Sequence, residues 1–144
     1  MTGSGAGVPR SGGGEPDRLK LLCMDNLLAA DARVYFKDRL SRFLFVSAGW
    51  LAAYAPGRTA QELAGKSDFD VFTYEHAYAA LQDEKQIMGT GRPIDGKVER
   101  ETFSGGGERW VLTTKMPLRD ERGLIIGTFG ISHDVTAQVR ARAL

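Results

Sequence analysis

Apolar and polar positions change their period several times along this chain, and each change marks an element. From Asp17, DRLKLLCMDNLLAADA places Leu21, Met24 and Leu28 at helical spacing, with Leu22 and Leu27 widening the stripe. Asp17 supplies the acidic opening that helix starts prefer. So short a helix gains little stability alone, so its stripe predicts docking on its own domain or on a second copy of the chain. VYFKDRLSRFLFVS then shows two β-rich runs, Val34–Lys37 and Arg42–Ser47, around the polar DRLS, which predicts an antiparallel hairpin.

Short helical pieces follow. AGWLAAYAPG sets Trp50 and Tyr54 one turn apart and stops at Pro56-Gly57. TAQELAGKS has Thr59 three residues before Glu62, the spacing of a capping box, and Gly65 as its stop. DFDVF brings Phe69 and Phe72 onto one turn. Tyr74 to Gly89 is the strongest helical pattern: Ala77, Tyr78, Leu81 and Met88 share a face, while Gln82, Asp83, Glu84 and Gln86 point elsewhere. Gly91 and Pro93 end it. Three strands remain, Lys97–Phe103, Glu108–Leu118 and Leu124–Asp134, joined by SGGG and RDERG, which predicts a meander. On the middle strand Trp110, Leu112, Thr114 and Met116 share one face. Segregated strands and helices predict an α+β fold, an antiparallel sheet with helices on one face.

Residues 1–16, MTGSGAGVPRSGGGEP, stand apart as a Gly/Ser/Pro-rich stretch too poor in apolar side chains to offset ordering, and are expected to be a disordered tail. Nineteen basic and eighteen acidic side chains leave a net charge of +1, so no field steers the chain to nucleic acid or an anionic membrane. No apolar run is long enough to span a bilayer, and the start lacks a secretory core, so a cytoplasmic domain is expected. The single Cys23 excludes an internal disulfide and a cysteine-based zinc cluster. His133-Asp134 has the look of a metal-chelating pair, but two histidines in the whole chain cannot complete a hydrolase site. No serine has a G-x-S-x-G setting, so no enzymatic activity and no metal are expected.

Four segments in order resemble the PAS (Per-Arnt-Sim) sensory family: VYFKDRLSRFLFVSAGW, ELAGKSDFDVF, TGRP and MPLRDERGLIIGTFGISHDVT. The last runs close to the family's terminal P-[LI]-x-[DN]-x-x-G, then G-x-x-G and D-[IV]-T. The resemblance implies a five-stranded antiparallel sheet of order 2-1-5-4-3 around a small cavity, over residues 34–136. Residues 17–33 become a flanking helix and 137–144 the start of an output helix. One departure is Ser47, where many members carry Asn.

What the family implies for function is a sensory and protein-interaction module. Asp134 and Thr136 occupy its terminal D-x-T, which caps the exit helix and couples the core to a downstream effector; a carboxylate or hydroxyl before AQVRARAL is also a good N-cap on its own terms. The effector is missing from these residues, which points to a piece of a longer protein. Leu21, Met24 and Leu28 are the candidate dimer helix of a homodimer. The candidate cavity lining is Phe36, Phe45, Trp50, Phe69, Phe72, Tyr78, Leu81, Trp110, Leu112 and Phe129, a set suited to a small apolar ligand. A carboxylate binder would need an inward Arg or Lys, and Arg100, Arg109 and Lys115 lie in strands. The cofactor is left open. A cysteinyl flavin is rejected, because AGKSDFDVF replaces the reactive Asn-Cys-Arg stretch, and haem is disfavoured, because His76 precedes the usual ligand position, held here by Ala80. A receptor whose occupied cavity is itself the sensing element is the alternative reading.

Overall fold

The computed structural model describes residues 14–143. The expected tail lies largely outside the described residues; its last three, Gly14 to Pro16, open the first helix. Helix α1 (Glu15–Ala29) starts two residues earlier than the periodicity predicts, because Pro16 fits the first turn and Glu15 and Asp17 place negative charge there. Strands β1 (Arg33–Asp38) and β2 (Phe43–Val46) form the expected hairpin. At its turn the Asp38 Oδ1 accepts the amides of Leu40 and Arg42 at 2.9 and 3.0 Å.

Helices α2 (Ala48–Tyr54) and α3 (Ala60–Leu63) and a 3-10 turn (Asp68–Asp70) lead to α4 (Tyr74–Thr90). Gly91, at φ 69°, takes the left-handed conformation that ends α4. Strands β3 (Ile94–Thr102), β4 (Glu108–Arg119) and β5 (Ile125–Asp134) form the meander, and α5 (Thr136–Arg142) leaves it. The sheet order is β2-β1-β5-β4-β3. Among the described residues no helix is long and apolar enough to cross a membrane.

Ser47 fixes how the hairpin meets the helical layer. Fully buried, its hydroxyl accepts the amides of Val34 (2.9 Å) and Trp50 (3.2 Å) and donates to the Ala32 carbonyl, capping α2 while holding the start of β1. The hydroxyl therefore does local structural work at the position where many members of the resembled family carry Asn. Next to it an aromatic chain runs Phe43–Trp50–Tyr54–Phe72, with successive ring centroids 4.9, 5.1 and 5.3 Å apart. On β5, Gly127 is required by close approach: a Cβ there would run into the Lys37 carbonyl of β1.

Helix α4 turns a different face inward from the one its apolar residues suggest. Ala77, Ala80, Glu84 and Ile87 are buried, while Tyr78 is exposed and Leu81 and Met88 are half-buried. Glu84 is 1% exposed because a lysine on the facing sheet holds it in.

Candidate functional site

Between the inner sheet face and α2, the 3-10 turn and α4 lies a cavity with about 30 Å³ for the centre of a water-sized sphere. Strand alternation decides its lining. Tyr35 and Lys37 of β1, Glu99 and Glu101 of β3, and Val111, Thr113 and Lys115 of β4 face it. The cavity is thus charged, which corrects the expectation of an apolar pocket.

Each lysine sits between two carboxylates. Lys37 Nζ lies 2.5 Å from Asp68 and 2.7 Å from Glu84, over the rings of Tyr35 and Phe43 at 4.7 and 5.1 Å. Burial pulls the ammonium pKa down, but the two carboxylates outweigh it and the pKa is raised. One ammonium cannot satisfy both acids; burial, with the Asp68 charge, pushes Glu84 up against the pull of Lys37. Lys115 lies 2.8 Å from Glu99 Oε1 and 3.0 Å from Asp83; the Glu99 contact is one of charges without an aligned hydrogen bond. Burial lowers Lys115 too, and again the carboxylates overcome it. Asp83 also takes Lys97 at 2.7 Å, and the two lysines together hold it below the usual range despite partial burial.

A third polar line leads out of the cavity. The Tyr54 hydroxyl donates to Glu101 Oε1 at 2.8 Å, and Arg33 reaches that same hydroxyl at 3.4 Å. The other side of the Arg33 guanidinium lies 3.6 Å from Asp134 Oδ2. Burial raises Glu101 to about 7, opposed by the Tyr54 bond and the Arg33 charge; it also pushes Tyr54 above its ordinary value, with the Glu101 charge adding. Asp134 is held low by its bonds to Thr136 and by Arg33, which outweigh its slight burial. Its Oδ1 accepts the Thr136 amide at 2.8 Å, although the helix proper is preceded by Val135. The Thr136 hydroxyl does not cap α5, as the sequence suggested. It bonds the backbone of Trp110 on β4, accepting from N at 2.9 Å and donating to O at 3.3 Å. The D-x-T pair therefore joins the exit to both β1 and β4.

Of the predicted lining, Trp50 and Phe72 face the cavity. Phe36, Phe45, Trp110, Leu112 and Phe129 have the opposite parity and lie on the outer sheet face, where Phe36 stacks on Phe129 at 5.6 Å. Phe69, exposed, and Leu81, half-buried, border a second pocket against the first half of α4, and Tyr78 stacks on Tyr74 in solvent. Of α1, Leu21 and Met24 are exposed and Leu28 is half-buried. His76, in the first turn of α4, is half-buried: its ring lies 4.6 Å from Phe72, its Nδ1 faces the Arg100 carbonyl at 3.3 Å, and burial lowers its pKa. Lys37, Asp68, Glu84, Glu99 and Glu101 escaped the sequence reading; the signal present was that Tyr35/Lys37 and Glu99/Glu101 alternate with outward residues.

Comparisons with known proteins agree with this geometry. The "PAS fold" family matches residues 29–140. Methanogenesis regulatory histidine kinase FilI of Methanothrix harundinacea (strain 6Ac) is 29% identical over 103 residues, 72% of this chain and 11% of the kinase. VqmA bound to DPO superposes with a TM-score of 0.67 at 23% identity, over 81% of this chain and 57% of VqmA. A PAS domain from Colwellia psychrerythraea gives 0.67 at 13% identity, over 82% and 98%. The chain thus spans about a tenth of the kinase and somewhat over half of VqmA. With the family match running from the end of α1 into α5 over the same sheet order, the chain belongs to the PAS-fold family of sensory domains.

Proposed function

We propose that this chain is a non-enzymatic sensory and protein-interaction module that forms homodimers and relays the state of its cavity to an effector these 144 residues do not include. The observation that carries the reading is Arg33, which touches the cavity wall through Tyr54 and the exit through Asp134. Anything that changes the charge on Glu101 changes what Arg33 is attracted to, and Asp134 is its other partner. The groups acting on Glu101 are Tyr54, Arg33, Glu99 and Arg109. As pH is carried through about 7, the amide resonances of Thr136 and Ala137 are expected to move. Arg33→Met keeps much of the side-chain length but removes the guanidinium, and should cut the movement severalfold. Both samples carry His133→Gln, so that the imidazole beside Asp134 contributes nothing. Equal shifts with and without Arg33 would sink the relay.

Dimerisation rests on apolar surface that the monomer leaves open. No residue of α1 is fully buried, and Leu19, Leu21, Leu22, Met24 and Leu27 are exposed. On the outer sheet face Phe45, Phe36, Phe129 and Met116 sit on adjacent strands in register, an apolar stripe across four strands. Sedimentation is expected to show twice the 15.7 kDa chain mass, and Leu21→Glu with Met24→Glu to return the monomer. A clean monomer of the native protein at high concentration removes this part of the proposal.

The receptor reading is favoured by one further feature. A cleft of about 380 Å³ between α4 and β3 shares His76 and Glu99 with the cavity, so it lies directly against the cavity wall. VqmA, solved with DPO, shows a ligand held by a chain of similar fold. A ligand co-purifying in native mass spectrometry, or a thermal shift with a small molecule, supports this second reading.

A further inference from the structure

We infer that the cavity selects a small organic cation, a protonated amine of a few heavy atoms, which pairs with the Glu101 carboxylate beside Tyr54. The inference rests on the receptor reading and names the ligand class for that site.

The first argument is which charges are already satisfied. An anionic ligand needs a free cation, and among the described residues the cavity offers none: Lys37 is bonded to Asp68 and Glu84, Lys115 is paired with Glu99 and Asp83, and burial pushes His76, the remaining basic group in the lining, toward its neutral form. Glu101 is the reverse case. It is 6% exposed, lines the cavity, and among the described residues has Tyr54 as its sole hydrogen-bond donor and no side-chain nitrogen of Lys, Arg or His within 4.0 Å. A buried carboxylate with one neutral donor retains acceptor capacity that an ammonium group fills, and charge-assisted bonds of this kind are the strong ones. The raised pKa of Glu101 agrees with a missing counter-charge.

The second argument is the wall. Trp50, Tyr54, Tyr35 and Phe72 line the same space, and aromatic faces attract cations most where water is scarce. Size follows from volume: about 30 Å³ open to the centre of a water-sized sphere limits a ligand to a few heavy atoms, so a short amine fits. The α4–β3 cleft beside the cavity carries Glu75 and Glu99 but also Lys97 and Arg100, so its charges balance and the choice of ligand falls to Glu101.

The test is thermal shift and calorimetry on the full chain with matched probes: ethylamine and ethanolamine, against propionate and glycolate, against ethylene glycol. The two amines alone are expected to bind. Glu101→Gln, which keeps the side-chain shape and an acceptor for Tyr54, should weaken them by at least about tenfold, while Glu75→Gln at the mouth should not. Circular dichroism confirms that each variant is folded. Binding by the carboxylates or the diol instead of the amines overturns the amine inference and leaves the receptor reading standing. Amine binding that survives Glu101→Gln overturns the assigned partner. Silence from every probe class retires the receptor reading, and the inference with it.

Discussion

Replacing Lys37 by methionine is expected to cost about 3–5 kcal/mol of folding stability near neutral pH, measured by urea unfolding. The methionine fills nearly the same volume, so lost packing is small. The loss comes from Asp68 and Glu84, which stay in the interior after the one ammonium they share is gone. A buried carboxylate without a counter-charge must keep its desolvation penalty or take up a proton. The arrangement makes a second, opposite expectation. Because one ammonium serves two carboxylates, and burial drives the Glu84 pKa up, Glu84→Gln leaves Lys37 paired with Asp68 and should cost within about 1 kcal/mol. Lowering the pH should also shrink the Lys37→Met deficit, since the stranded acids then protonate. If Lys37→Met is as stable as the native protein, or Glu84→Gln is the more damaging change, the triad does not work as described.

The same cluster shows where sequence reading succeeds and where it stops. Segment order, the Asp38 turn, the Gly91 stop and the meander were all legible, because each depends on local chemistry within a few residues. The facing of the sheet was not. Their apolar character made Phe36, Trp110, Leu112 and Phe129 candidates for the cavity lining, yet in this fold they lie outside. The inner positions carry Tyr35, Lys37, Glu99, Glu101 and Lys115. Nothing local corrects that choice, because a lysine reads as surface until its partners are known. Those partners stand 31 and 47 residues away. A charged inner face is stable because its charges are paired across elements, and pairing across elements is what a single sequence hides. Asp134 and Thr136 show the intermediate case: motif and position were legible, but the Thr136 bond to the Trp110 backbone needed the strand that precedes it in the meander.

Glu101 should give the protein a pH-dependent stability that one substitution removes. Its folded pKa, about 7, stands above the ordinary 4.5 because burial penalises the carboxylate. Below about 4.5 folded and unfolded chains both hold the proton, and Glu101 costs nothing. Between these two values the folded state keeps a proton that the unfolded chain has released, so stability falls as pH rises through the window. The full difference, reached above about 7, is on the order of 3 kcal/mol. Glu101→Gln cannot ionise and still accepts the Tyr54 hydroxyl, so it should match the native protein in acid and exceed its stability by up to that amount in mild base. Only the difference between the two curves is diagnostic, because Glu84, also raised by burial, tilts both in the same direction. Parallel unfolding curves across the whole window would mean that Glu101 meets enough water or counter-charge to ionise freely. The cavity would then lack the unpaired carboxylate on which both the relay through Arg33 and the choice of a cationic ligand depend.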